Sequence, residues 1–340
     1  MRLQELGIAL MALLLVAVAG AGILYRLLVY MPGASYGAAP PRSNGETADL
    51  AARLQAHVRV LAHDVGERHY WKPANMRAAA DFIEQTLRKS GYNPVRHTVV
   101  TGDQAFPNIE VQIPGFSRAH EVMVVGAHYD TVRGSPGADD NASGVAVLLE
   151  LARLLRGADL DRTIHLVAFA NEEEPFHGTE AMGSLQFARR ARAANQNIVG
   201  MISLEMLGYY TTGPDTQRYP AFLGHLYPHQ GDFLAFVGNF ASRQLVYDVI
   251  RGFRQYATVP SEGLAAPEML EDILRSDHAA FWQMGYSAMM LTDTANFRNP
   301  HYHGPNDTYD TLDYATMARV TVALARLLRA PAGGTGSREQ

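Results

Sequence analysis

The chain is expected to fold as a single α/β domain, a central mixed, mostly parallel sheet with helices on both faces, preceded by an N-terminal transmembrane helix. Three observations in the 340-residue sequence point there. Apolar runs of strand length, Val122-Met123-Val124-Val125 the clearest, are near-continuous, as in strands buried on both faces of a parallel sheet. Segments with apolar residues at helical spacing alternate with them, the rhythm of layered α/β domains. Ahead of both lies an uncharged stretch from Leu6 to Tyr25, close to the ~20 residues a helix needs to cross a bilayer.

Taken in order, residues 1–5 read as a tail and 6–31 as a transmembrane helix or signal anchor, because Arg26 is followed by the further apolar stretch Leu27 to Met31. Ala17-Val18-Ala19 before Gly20 resembles a small-residue cleavage site, and cleavage there would make the protein secreted. The leading residues carry only Arg2 and the α-amine against Glu5, so the expectation is an uncleaved anchor with the domain outside the cytoplasm, periplasmic or extracellular. Residues 32–46, rich in Pro, Gly, Ser and Asn, read as a flexible linker that detaches the anchor, 47–330 as the domain, and 331–340 as a disordered tail.

Within the domain, Asn75 to Lys89 has the spacing of an amphipathic helix, with Met76, Ala79, Ala80, Ile83 and Leu87 on one face and Gly91 beyond its end. Strands are expected at Thr98 to Thr101, Asn108 to Ile113 and Glu121 to Ala127. A helix capped by Ser143 follows through Leu155, closing at Gly157. Then come strand Thr163 to Ala170, helix Gly183 to Ala194, strand Val199 to Leu204, strand Ala288 to Thr292 and helix Tyr314 to Leu328. Tyr209 to Phe240 breaks this rhythm. A connection so long is expected to pack over the domain or to wall a substrate pocket.

Composition narrows the chemistry. A net charge of −5 without a basic tract excludes nucleic acid as a partner. The absence of cysteine removes disulfides and thiolate-bound zinc together, leaving His, Asp and Glu as metal ligands. Four polar clusters follow strand ends, where the crevice of an open α/β sheet lies: His128 with Asp130, Asn171-Glu172-Glu173-Glu174, Glu205, and Asp293 leading to His301-Tyr302-His303. Each alone has an ordinary explanation, the histidine as a hydrogen-bonded structural residue and the acidic triplet as a solvated loop. Glu205 is harder to explain so, because a carboxylate between Leu204 and Met206 is rarely buried unpaired. With Asp140 in Gly137-Ala138-Asp139-Asp140-Asn141-Ala142-Ser143-Gly144, the clusters together suggest a metal site.

In this order, Gly126-Ala127-His128-Tyr129-Asp130, Asp139-Asp140-Asn141-Ala142-Ser143-Gly144, Asn171-Glu172-Glu173, Leu204-Glu205-Met206-Leu207-Gly208 and Tyr302-His303-Gly304-Pro305-Asn306-Asp307-Thr308 resemble the M28 family of zinc metallopeptidases, from about His57 to Leu328. The resemblance implies two Zn²⁺ per chain bridged by Asp140, one completed by His128 and Glu205, the other by Glu173 and His303, with His301 as the competing candidate for the last position. It implies Glu172 as general base toward water shared by the metals, and Tyr302 as a hydrogen-bond donor to the oxyanion. Asp130, two residues from His128 on an extended chain, is placed to orient the imidazole. A cis peptide between Asp140 and Asn141 is implied as well. The implied activity is hydrolysis of peptide bonds, chiefly removal of N-terminal residues from peptides with a free N-terminus. Two departures stand out: Glu205 replaces the aspartate of the best-known aminopeptidases, leaving the carboxypeptidase direction open, and Glu174-Pro175-Phe176 replaces a Gly-containing continuation. A glutaminyl cyclase-like transferase with one zinc and a non-catalytic receptor-like domain are the alternatives on this fold. Ser276-Asp277-His278 is expected to play a structural or supporting part.

Overall fold

The computed structural model describes residues 3–331; the segment expected as a disordered tail, apart from residue 331, lies outside the described residues. A mixed eight-stranded sheet forms the centre, in the order β1-β2-β4-β3-β5-β8-β6-β7. Its strands are β1 (Val95–Thr101), β2 (Gln104–Ile113), β3 (Arg118–His128), β4 (Arg162–Phe169), β5 (Ile198–Glu205), β6 (Leu234–Asn239), β7 (Ser261–Ala266) and β8 (Ala288–Thr292). β4, β3, β5 and β8 run parallel side by side, so their carboxyl ends open on one crevice. β1 with β2, β2 with β4 and β6 with β8 pair antiparallel, while β7 at the far edge runs parallel to β6.

Helices cover both faces. The larger core packs α2 (Gly45–Arg59), α3 (Pro73–Lys89), α4 (Gly144–Leu155), α6 (Arg243–Tyr256) and α8 (Tyr314–Arg329) on one side. On the other, α5 (Gly183–Ala193) and α7 (His278–Gln283) bury Phe187 and Phe281 against Phe169 of β4. α3 follows its sequence pattern, its buried residues being Met76, Ala79, Ala80, Ile83 and Leu87.

Four expectations need correction. α1 (Leu3–Leu28) begins inside the expected tail. Ser143 does not cap α4: its hydroxyl donates to the Asp139 carbonyl at 2.7 Å and accepts from the Leu207 amide at 2.9 Å, tying two turns of the crevice together. The 209–240 segment is not all loop, because its end supplies β6. Most consequential, the expected linker does not hang free. Leu28, Val29 and Met31 are buried, and Arg254 donates from Nη1 to the carbonyls of Met31, Pro32 and Gly33, while the Ser261 amide donates to Ser35. Residues 28–35 therefore cover the outer edge of β7, the kind of unpaired strand edge that otherwise invites association. Residues 36–44 are irregular and nearly all exposed, and α2 begins at the linker's end, where Asn44 and Thr47 form a reciprocal capping box.

Candidate metal centre

The parallel strands bring the motif residues together. His128 ends β3, Glu205 ends β5, and Glu172 and Glu173 follow β4; all four are buried. Asp140 sits on the turn before α4. Gly137, at φ +62°, starts that turn, where any side chain would collide with Thr131 and the Asp140 carbonyl. The Asp140–Asn141 peptide is cis. Asp307 accepts from the backbone amides of both Asp139 (2.8 Å) and Asp140 (3.1 Å), and Asn141 donates to the Leu204 carbonyl and accepts from the Met206 amide. The turn and the end of β5 are thus locked to each other.

Two groups of candidate ligand atoms share Asp140. In one, His128 Nε2 lies 3.3 Å from Asp140 Oδ1 and 3.4 Å from Glu205 Oε2. In the other, His303 Nε2 lies 3.2 Å from Asp140 Oδ2 and 3.5 Å from Glu173 Oε2. The two oxygens of one carboxylate thus face two different histidines, and each group lies within the reach of a single cation. His128 Nε2 and Glu173 Oε1 are buried without a hydrogen-bond partner, so these atoms fit a metal better than a closed polar network. Their N/O composition suits zinc.

The electrostatics are those of crowded acids. Burial, reinforced by Asp140 and Glu172, pushes the Glu173 carboxyl well up, and burial pushes Glu205 up to about 7. Burial acts on Asp140 in the same direction, but the nearby imidazoles of His128 and His303 outweigh it and hold the group below the usual carboxylate range. Beneath them lies fully buried Arg68, brought down to about 10 by burial and supported by the charges of Asp307, Asp130 and Asp140. Its guanidinium donates to the carbonyls of Tyr129, Leu61, Gly66, Pro136 and Gly137, which fixes a cation under the acids.

The neighbouring roles are redistributed. The Asp130 carboxylate lies 3.5 Å from His128 Nδ1, while the Asp130 carbonyl lies at 3.2 Å; its carboxylate oxygens accept from the amides of Glu172 (3.0 Å) and Glu173 (3.1 Å). Asp130 therefore holds the acidic turn as well as flanking the imidazole. Glu172 Oε1 contacts His177 Nδ1 at 2.9 Å, a partner the sequence reading missed although His177 closes the unusual Glu174-Pro175-Phe176 turn. Tyr302 stacks on His303 with ring centres 3.8 Å apart, and burial keeps its phenol protonated. His301 points elsewhere, edge-on to Tyr209. Ser276 donates to Glu205 Oε2 at 2.7 Å, and His278 contacts the Ile273 carbonyl through Nε2.

The chain has similar proteins in sequence and in fold. Residues 108–328 match the model of peptidase family M28. The uncharacterized protein YfbL of Escherichia coli (strain K12) is 36% identical over 81% of this chain and 87% of its own length. Leucine aminopeptidase 1 of Arthroderma otae is 30% identical over 79% of this chain and 68% of its own. Among solved structures, LapB from Legionella pneumophila has a TM-score of 0.65 at 22% identity, covering 91% of this chain and 80% of LapB. The zinc aminopeptidase BSAP from Bacillus subtilis has 0.63 at 15%, covering 81% and 94%. The glutaminyl cyclase of Porphyromonas gingivalis has 0.59 at 23%, covering 82% and 98%. At such identities the structures establish the shared fold; the family match and the sequence relatives establish more, and the chain belongs to peptidase family M28.

Proposed function

We propose that the chain is a zinc-dependent aminopeptidase that releases N-terminal residues from peptides with a free N-terminus, held to a membrane by α1 with its domain outside the cytoplasm. Peptide hydrolysis follows from the family and from the leucine aminopeptidase relatives. The observation that carries the finer reading is the division of Asp140 between two groups of ligand atoms. His128 and Glu205 would hold one Zn²⁺, Glu173 and His303 the other, and Asp140 both. When bound, the pair supplies Lewis acidity that lowers the pKa of water and offsets charge on the attacked carbonyl oxygen.

The protein's own groups do the rest. Glu172 would take a proton from the attacking water and deliver it to the leaving amine, acid–base help worth about 10² to 10⁴ in rate. Its position supports that role: Oε2 lies 3.9 Å from His128, its backbone is held by Asp130, and its other oxygen is held by His177. Tyr302, protonated and stacked against His303, is placed to donate to the developing oxyanion. α1 contains one stretch, Leu10–Leu28 with mean hydropathy 2.1, long and apolar enough to cross a membrane.

The test is metal content followed by turnover of aminoacyl amides and N-blocked peptides. We expect two zinc ions per chain and cleavage of free amines only. One metal per chain, or cleavage confined to blocked peptides, overturns the reading.

A further inference from the structure

We infer that the substrates are peptides held at a bilayer surface by apolar sequence, whose N-terminal side chain enters an apolar pocket running from the metal centre toward the base of α1. The inference rests on the aminopeptidase reading and on α1 as a membrane span, and it adds where the substrate comes from.

The pocket has a volume of about 160 Å³ and reaches Glu205, Thr292 and Tyr302 at its inner end. Phe233, Ala235, Val237, Leu264, Ile273 and Met290 line it. Five of these belong to the same packed cluster as Leu28 and Val29, the first two buried residues after the exposed apolar part of α1, and Leu264 packs against it. The wall that would receive a substrate side chain is thus continuous with the seat of the anchor.

That seat is rigid. Arg243 Nη2 donates to the Arg26 carbonyl at 2.6 Å, Tyr247 donates to the same carbonyl at 3.3 Å, and the Arg26 guanidinium lies over the Tyr30 ring. Met31 packs so closely on Gly263 of β7 that a Cβ there would lie 2.6 Å from Met31 Cγ. Helix and domain are therefore joined through residues that the domain itself holds. The surroundings remain apolar at the surface: Leu24 (49% exposed), Tyr25 (48%) and Leu27 (41%) on α1, and Leu270 (39%) on the pocket rim. Tyr and Leu in this position suit the interface of a bilayer. With α1 across the membrane, the domain is pinned against its surface, and the pocket lies between that surface and the metal ligands. A soluble peptide gains nothing from this placement; a peptide partitioned into the interface gains the effective concentration of a shared surface.

The experiment uses the full zinc-loaded chain in phosphatidylcholine vesicles. The substrates carry an N-terminal leucine separated from a palmitoyl tail by about 4 or about 16 polar residues, reaching roughly 13 or 50 Å when extended. A variant carries about 20 Gly/Ser residues inserted between Leu27 and Leu28, which frees the domain by about 25 Å while leaving residues 28–35 docked. We expect the unmodified chain to favour the short-spacer peptide about tenfold in kcat/KM and the insertion variant to treat both alike. Soluble leucine amide should be turned over equally by both, which shows that fold and chemistry survive the insertion. Preference for the long spacer, or a ratio unchanged by the insertion, overturns the inference while leaving the aminopeptidase reading intact. Failure to hydrolyse soluble leucine amide overturns that reading and this inference with it.

Discussion

Replacing Glu172 by Gln separates the proposed proton carrier from the metal ligands. Gln has nearly the same volume, and the backbone amides of residues 172 and 173 stay anchored on the Asp130 carboxylate at 3.0 and 3.1 Å. His128, Asp140, Glu173, Glu205 and His303 are untouched, so metal content should not change. What is lost is a group able to accept a proton, and general-base removal costs about 10² to 10⁴ in kcat, roughly 2.7 to 5.4 kcal/mol of transition-state stabilisation. KM should move little, because the pocket lining does not include Glu172. Steady-state turnover of leucine amide, with zinc measured on the same sample, is the assay. A metal-replete Glu172→Gln variant with kcat within about twofold of the parent would refute the assignment, since such a loss is negligible beside the expected range.

Four further outcomes are expected. His177→Ala removes the contact with Glu172 Oε1 and should lower kcat about tenfold with KM and zinc content unchanged, the scale of a hydrogen bond to a charged group; His177→Asn restoring part of the loss would show that positioning is the role, and an unchanged kcat would remove it. Met31→Ala in the full chain should destabilise the domain by about 2 to 4 kcal/mol, read as a lower urea midpoint, because Met31 fills the space over Gly263; an unchanged midpoint would mean the docking is superficial. Burial brings His278 down to about 4, so its neutral form belongs to the fold. Its contribution is complete above the ordinary histidine pKa of about 6.5 and is lost as the pH falls toward 4, by at most about 3 kcal/mol, and a His278→Gln variant should show a flatter stability profile across that window. Chelation of zinc should lower Tm as well as abolish turnover, and zinc should restore both, since the carboxylates around Asp140 repel one another without cations; an unchanged Tm would argue against tight binding in the folded state.

The candidate metal site was legible in the sequence because its residues sit at or just after strand ends next to apolar runs that mark the strands. His128, Glu172, Glu173 and Glu205 each follow such a run, and the order of the motifs carried the family. Long-range partners were not legible. Arg68 is fully buried, yet in sequence it is an ordinary charged residue; its partners are carbonyls from four separate stretches of chain, and no local pattern announces them. Asp307 could be read as a turn residue, and its hydrogen bonds to Asp139 and Asp140 became visible only when α8 and the preceding loop packed beside α4. The failure at residues 32–46 is of another kind. Pro, Gly and Ser mark irregular backbone, and residues 29–35 are irregular, but irregular chain can still be held by side chains elsewhere, here Arg254. The cap at Asn44 and Thr47, in contrast, was present as a local signal and went unread.

The division of labour in this fold follows from how each part is built. Glu205 and His128 end neighbouring parallel strands, and Glu172 and Glu173 leave the strand on the other side of β3. Strand spacing of about 4.8 Å then sets the lateral separation of His128 and Glu205. Asp140, Glu173 and His303 come from connections, and each is tied down, Asp140 through Asp307, Glu173 through Asp130 and His303 by stacking on Tyr302. The chemistry is thus fixed by the sheet. On the proposed reading, selection of substrate falls to the 217–237 segment and β7, which line the apolar pocket and pack in one cluster with Leu28 and Val29, outside the parallel centre. An edge strand covered by its own N-terminal segment gives that selection a physical link to whatever holds the N-terminus. Changes at Leu28, Val29 or Met31 should therefore alter which peptides are cleaved before they alter whether any peptide is cleaved.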